Sequence, residues 1–257
     1  MSSASAPSVN ESPLSERPLE SALLGSRVYA AAVDSVPALQ GALAAARPHC
    51  GALVVVRVPA DAVATIHAIE AAGGRLCDTL VTLTGPFLPS VMQPSLTPDL
   101  TVRQAGPDDV EALADMATRS FRSGTTHWHS DPRLPQPLAD ELYGRWAAAL
   151  ARSATVETPV LVAASRDESI AGFLALAPQG EHAWNVPLTA VRPECRGRGI
   201  LGAMLDVGAL MCRRDGARQT LHYETQLTNR AALRAVTRRG LTVGSSRLTF
   251  HLWVPGP

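Results

Sequence analysis

The sequence contains no lysine: all 23 basic residues among its 257 are arginine. That excludes the phosphate loop of nucleotide hydrolases, GxxxxGK[ST], whose lysine reaches the terminal phosphates. Excess charge is missing too. With 23 acidic residues against the 23 basic ones, nothing points to a nucleic acid or an anionic lipid as partner. No apolar run approaches the roughly 18–20 residues of a membrane span. The Ser-, Pro- and Glu-rich N-terminus lacks the apolar core of a signal peptide. Cysteine is sparse: Cys50, Cys77, Cys195 and Cys212 show no CxxC spacing and read as free thiols of a reducing compartment. The expectation is a cytoplasmic protein with neither membrane nor nucleic-acid partners.

What is present is a run of backbone amides suited to an anion. A β-rich stretch, AWNVPLTAV, leads into Arg196-Gly197-Arg198-Gly199, and a helical pattern follows with Ile200, Met204, Val207 and Met211 on one expected buried face. Strand, glycine turn and helix present free N–H groups and a positive dipole end to a phosphate. The glycines permit close approach, and the two arginines add charge-assisted contacts. Gly197, Gly199 and Gly202 also satisfy the GxGxxG spacing of dinucleotide folds, but late in the chain and outside a parallel βαβ series. Downstream, Leu221–Thr225 reads as a strand, and Asn229 opens a helix as its cap.

Val191, Pro193, Arg196, Gly197, Gly199 and Ile200 follow in order the V-x-P-x-x-[RQ]-G-x-G-[IL]-[GA] signature. In this the chain resembles the GCN5-related N-acetyltransferases (GNAT), with Leu201 in place of the final small residue. The resemblance implies acetyl-CoA as cosubstrate, no metal, and a cofactor cradle of Thr189, Ala190, Val191, Arg196, Gly197, Arg198, Gly199, Ile200, Leu201 and Asn229. In that family the fourth strand splays from the fifth, which would expose the amides of Thr189, Ala190 and Val191. Seven residues past the asparagine the family usually has a tyrosine that protonates the leaving thiolate; here that residue is Val236. An alkyl thiol has a pKa near 8.5, so its anion is a tolerable leaving group, and water or Tyr223 is left as proton source.

Residues 121–150 narrow the resemblance to the dTDP-fucosamine N-acetyltransferases, whose block F-x-x-S-R-[FY]-H-x-D-P continues into A-D-x-L-Y-x-x-W. His129, Asp131, Pro132, Ala139, Asp140, Leu142, Tyr143 and Trp146 fall on it, with Phe121 two residues ahead of the block's first position. The implied acceptor is a primary amine, that of a nucleotide-linked amino-deoxysugar, and the implied acceptor-site residues are His127, Trp128, His129, Asp131 and Tyr143. Other amines remain open, as do a non-catalytic acyl-CoA-binding module and a homodimer. Amide formation needs a neutral amine, hence a proton acceptor. Several members of the family place a general-base glutamate at the end of the fifth strand, so the resemblance implies Glu224 as the first candidate general base, with His129 and His222 as lesser ones. The HxHxD run of His127, His129 and Asp131 also resembles a metal cluster, but within this block it reads as a pocket wall.

The expected class is α/β with a mixed α+β sheet: a GNAT fold preceded by a small degenerate α/β half-domain. Residues 1–20 are expected to be disordered, 21–83 to form the N-terminal domain, 84–99 a Pro-rich linker and 100–257 the acetyltransferase domain. Within these, a strand is expected over Leu80–Leu83, helix caps at Asp61 and near Asp108, and two strands at the C-terminal end. A helical face should carry Ala139, Tyr143, Trp146 and Leu150, and the final strand should turn Leu248, Phe250, Leu252 and Val254 inward against Thr249, His251 and Trp253.

Overall fold

The structure, a computed structural model, describes residues 14–89, 100–122, 126–165, 169–212 and 219–255. The chain divides into two compact units, Met1–Leu76 with Leu248–Pro257, and Cys77–Arg247.

In the first unit β1 (Ser15–Glu16), α1 (Pro18–Leu24), β2 (Val28–Ala32), α2 (Val36–Ala46), β3 (Leu53–Pro59) and α3 (Val63–Ala71) follow one another. The β-branched run Val54–Val56 favours β3, which pairs in parallel with β2, Val28 opposite Leu53. α2 turns Leu39, Ala42 and Ala46 inward. The strand Ser15–Glu16 pairs with β2 although the composition there predicts no structure. The cap of α3 is Ala62 without a side-chain bond; Asp61 does not serve.

β4 (Arg75–Pro86), which lies in the second unit from Cys77 onward, is much longer than the four residues expected because it takes in the stretch before Leu80 and runs on to Pro86. Then come β5 (Leu100–Gln104), a 3₁₀ turn at Pro107–Asp109, α4 (Val110–Phe121), α5 (His127–Ser130), α6 (Gln136–Arg152), β6 (Val160–Ser165) and β7 (Ile170–Ala175). The rest is β8 (Ala177–Gln179), β9 (Ala183–Asn185), β10 (Thr189–Val191), a 3₁₀ turn at Pro193–Cys195, α7 (Ile200–Cys212), β11 (Thr220–Gln226), α8 (Arg230–Thr237) and β12 (Thr242–Trp253). β12 replaces the two C-terminal strands expected. Its residues from Leu248 onward belong to the first unit, where Thr249 and His251 are fully buried along with Phe250 and Leu252. The inward–outward alternation fails because both faces of that stretch are covered.

Two sheets build the second unit. One runs β10-β7-β6-β5, antiparallel throughout; the other places β4 beside β11, then β9 and β8. β11 is antiparallel to β4 but parallel to β9, so the architecture is mixed α/β. α4 and α6 cross closely at Gly144, where a Cβ would collide with Thr118 Oγ1 and lie 2.8 Å from the Ala114 carbonyl. Tyr143 and Ala147 face inward, whereas Trp146 is 36% exposed and off the expected face. α7 buries Ile200, Met204, Gly208 and Cys212; Val207 and Met211 lie at its margin.

The first turn before α4 is not closed by Asp108. Asp109 Oδ2 accepts the Gly106 N–H at 2.7 Å, and both Asp109 oxygens accept from Arg103, at 2.6 and 2.9 Å. The Arg103 hydrogen bonds, reinforced by the Gly106 amide against the opposing effect of burial, hold the Asp109 carboxyl below its ordinary value. A carboxyl depressed in the folded state contributes stability that is present above the unfolded pKa of about 3.9 and is lost as pH falls through the folded value. Asp109→Asn should therefore lower the urea midpoint at pH 7, and the gap from the unmodified protein should close below about pH 4. A gap unchanged across that range would place the effect elsewhere.

Candidate active site

The site is organised by the chain leaving one sheet for another. At Ala183–Asn185 it pairs in parallel with β11, Leu221 opposite Trp184. A few residues on, Thr189–Val191 pairs only with β7, and among the described residues no pairing joins β10 to β11. β10 thus presents an open edge. Ala175 N–H donates to Leu188 and Arg192 N–H to Ala171. Antiparallel bonding alternates, which turns Ala190 toward its partner Phe173 and leaves the N–H groups of Thr189 and Val191 on the open side. The expectation named all three amides; pairing with β7 removes that of Ala190. The Val191 carbonyl on the same open side accepts from Arg196 Nε at 3.2 Å.

The loop that follows rests on two left-handed residues, Gly197 at φ 80° and Gly199 at φ 76°, a conformation other residues adopt only with strain. Residues 196–199 are exposed, and a Cβ on either glycine would meet no atom within 4 Å. The space over the loop is open, as an anion cradle requires. α7 starts at Ile200, with Gly199 O accepting from Ala203, so the amides before that bond have no partner within the helix. Ile200 is sealed in the core and Leu201 packs against it, which turns the larger side chain away from the open space. Arg196 folds back, its Nη2 donating to Ser120 O at 3.4 Å, and staples the loop to the end of α4. Arg198 is exposed.

Gly202, the third glycine of the GxGxxG spacing, serves another purpose. A Cβ there would lie 2.8 Å from Arg239 Nη1, and Arg239 reaches across it to ion-pair with the buried Asp206. This pair ties α7 to the residues after α8. Nothing in the sequence pattern distinguished it.

Asn229 caps α8 as expected: its Oδ1 accepts the Ala232 N–H at 3.2 Å, and its Nδ2 donates to Thr225 Oγ1 at 3.0 Å. Both ends of the amide are thereby used to join β11 to α8, and these two bonds leave one of its N–H groups over. Val236 is 0% exposed and packs with Ile200, Met204 and Tyr223 in the core. Introducing a phenol there by Val236→Tyr should overpack the cluster and cost about 1–3 kcal/mol, read as a lower urea midpoint. An unchanged midpoint would mean that the core opens at this position. Tyr223 is buried as well, and burial pushes its phenol well above the usual value, which makes it a poor proton source.

Glu224 projects from the opposite face of β11, half-buried, where it ion-pairs with Arg247 and accepts from Thr82 Oγ1 at 3.5 Å. His222, on the same face, contacts Gln179 Oε1 through Nδ1 at 2.9 Å. The expected acceptor-site residues form a packed wall. His127, Trp128, Asp131 and Tyr143 are all buried. Tyr143 stacks on Phe121 with ring centroids 4.1 Å apart. The HxHxD run diverges: Asp131 binds Arg133 through both oxygens, at 2.8 Å each, whereas His129 turns to Asp140 at 3.1 Å.

A splayed strand edge beside a glycine loop and a helix N-terminus is the geometry of acyl-transferring enzymes, and the comparisons agree. Residues 113–241 match the acetyltransferase (GNAT) family, and the chain belongs to it. A spore coat polysaccharide biosynthesis protein, SpsD, of Bacillus subtilis is 25% identical over 207 residues, 79% of this chain and 67% of its own length. A GCN5-related N-acetyltransferase of Sphaerobacter thermophilus is similar with a TM-score of 0.53 at 18% identity, over 86% of this chain and 65% of that one. The chain thus spans about two thirds of the length of these relatives. A conserved protein of unknown function from Staphylococcus epidermidis has a TM-score of 0.64 at 10% identity, over 95% and 92%. At such identities the structures show a shared fold alone. Among the described residues, no helix is long and apolar enough to cross a membrane.

Proposed function

We propose that this protein transfers an acetyl group from acetyl-CoA to the primary amine of a small acceptor, an amino-deoxysugar carried on a nucleotide, by direct attack in a ternary complex. The observation that carries the reading is the open edge of β10 next to the exposed Gly197–Gly199 turn. Acetyl-CoA, when bound, supplies the thioester carbonyl. The loop amides and the exposed Arg198 hold its pyrophosphate, and the N–H groups of Thr189 and Val191 take the pantetheine arm and the carbonyl oxygen as charge develops there. Asn229 lends its remaining N–H. With Val236 sealed in the core and Tyr223 buried, no side-chain acid stands at the usual place, and the thiolate leaves as the anion. Glu224 and His129 are the candidates for taking the amine's proton. The relation to SpsD, whose name assigns it to polysaccharide biosynthesis, and the acceptor block at 121–150 support a sugar acceptor.

The test compares acceptors. With acetyl-CoA held constant, kcat/KM for a dTDP-4-amino-4,6-dideoxyhexose should exceed that for simple alkyl amines and aminoglycosides by at least about 100-fold, the scale of a few acceptor hydrogen bonds. Preference for a different amine would keep acetyl transfer and replace the sugar. Acetyl-CoA binding without turnover on any amine would make the protein a binding module.

A further inference from the structure

We infer that Thr126, His129 and Asp140 form a proton relay that takes the proton from the acceptor amine during acetyl transfer; the inference rests on the acetyl-transfer reading above. Thr126 stands at the cap position of α5, where a threonine hydroxyl ordinarily accepts a backbone N–H of the first turn. It makes no such bond. Its hydroxyl lies instead 2.7 Å from His129 Nδ1, and His129 Nε2 lies 3.1 Å from Asp140 Oδ1.

The carboxylate can only accept, so it fixes the imidazole proton on Nε2 and leaves the Nδ1 lone pair to accept the Thr126 hydroxyl proton. Hydroxyl, imidazole and carboxylate stand in line, the arrangement that makes an oxygen basic in nucleophilic and proton-transfer sites. The His129 side chain is only 4% exposed. Its ring lies nearly parallel to that of Tyr143, with centroids 6.4 Å apart, which holds its plane. Asp140 is partly exposed, with Arg122 Nε 3.9 Å from its other oxygen, so the far end of the line reaches solvent.

A chain of contacts joins this line to the glycine loop. Arg196 bonds to Ser120, the adjacent Phe121 stacks on Tyr143, and Tyr143 lies over His129. The step balances as follows. The amine nitrogen forms its bond to the thioester carbonyl carbon, and an N–H proton passes to Thr126 Oγ. The threonine's own proton passes to His129 Nδ1, giving an imidazolium held by Asp140. Collapse of the tetrahedral adduct breaks the C–S bond and releases the CoA thiolate, and the Nδ1 proton returns through Thr126 Oγ to water, which leaves the imidazole proton on Nε2 as before. Thr126 and His129 act on the proton, and Asp140 is a positioning residue.

Two isosteric variants test this on the full-length protein. Thr126→Val and Asp140→Asn should each lower kcat about 100-fold, the lower end of general-base contributions, with acetyl-CoA affinity by calorimetry and acceptor KM unchanged within about twofold. Thr126→Ser, which restores the hydroxyl, should recover kcat. A Thr126→Val enzyme whose kcat stays within about twofold of the unmodified protein overturns the relay and leaves acetyl transfer standing. Loss expressed in KM or acetyl-CoA affinity, with kcat retained, overturns it as well and assigns the three residues to architecture. An unmodified protein that binds acetyl-CoA yet turns over no amine removes both the relay and the reading it rests on.

Discussion

Replacement of Gly199 by tryptophan is expected to weaken acetyl-CoA binding at least about 100-fold, measured by calorimetry. Gly199 has φ 76°, and the direction of its missing Cβ is empty to 4 Å. A side chain would therefore not strike the protein; it would enter the space above the loop amides. Two charge-assisted hydrogen bonds to a phosphate, at about 1.5–3 kcal/mol each, correspond to at least two decades in affinity. The left-handed conformation adds a strain of roughly 1–2 kcal/mol for a non-glycine residue. Circular dichroism should accompany the titration, so that lost binding is read on a folded protein. Retained affinity would detach residues 196–201 from the pyrophosphate.

The second large effect concerns stability. Asp206 and Arg239 form an ion pair with little exposure, 7% and 18%, and it bridges α7 and the end of α8 over Gly202. Breaking such a pair from one side leaves a buried charge without its counterion, at a cost of about 3–5 kcal/mol. Arg239→Met should lower the unfolding free energy in urea by that amount. The double variant Asp206→Asn with Arg239→Met should recover most of it, because a matched neutral replacement of a buried pair is close to neutral. A single variant as stable as the parent, or a double variant no better than the single, would show that the two charges are not coupled. Because the pair anchors α7, whose first turn follows the glycine loop, to the residues after α8, the single variant should also bind acetyl-CoA more weakly.

The sequence carries the local elements of this region well and the long-range choices poorly. Strand, glycine turn and helix are legible at 189–212 because each depends on neighbours a few residues away: two left-handed glycines, a 3.6-residue apolar period, an asparagine cap at 229. The free amides of β10 are not legible, since they depend on which residues of β7 it pairs with and on its divergence from β11. The HxHxD run looked like one cluster because its residues alternate in sequence, but α5 is a single short turn that sends His129 to Asp140 and leaves Asp131 to Arg133. Asp140 lies in the acceptor block of the sequence, and its contact with His129 arises only from the packing of α5 on α6. Gly202 satisfied a dinucleotide spacing by coincidence; its small size is required by Arg239, 37 residues away in the chain. Glu224 is the general-base candidate that the family resemblance implies, and no periodicity reveals that Arg247 stands against it.

The most direct measurement of the central claim follows free thiol and N-acetylated product together after mixing the protein with acetyl-CoA and a primary amine acceptor. The two should appear in equal amounts, only when the amine is present, and Gly199→Trp should suppress both in parallel. Thiol released at the same rate without any amine, or product absent from every acceptor while acetyl-CoA is bound, would contradict it.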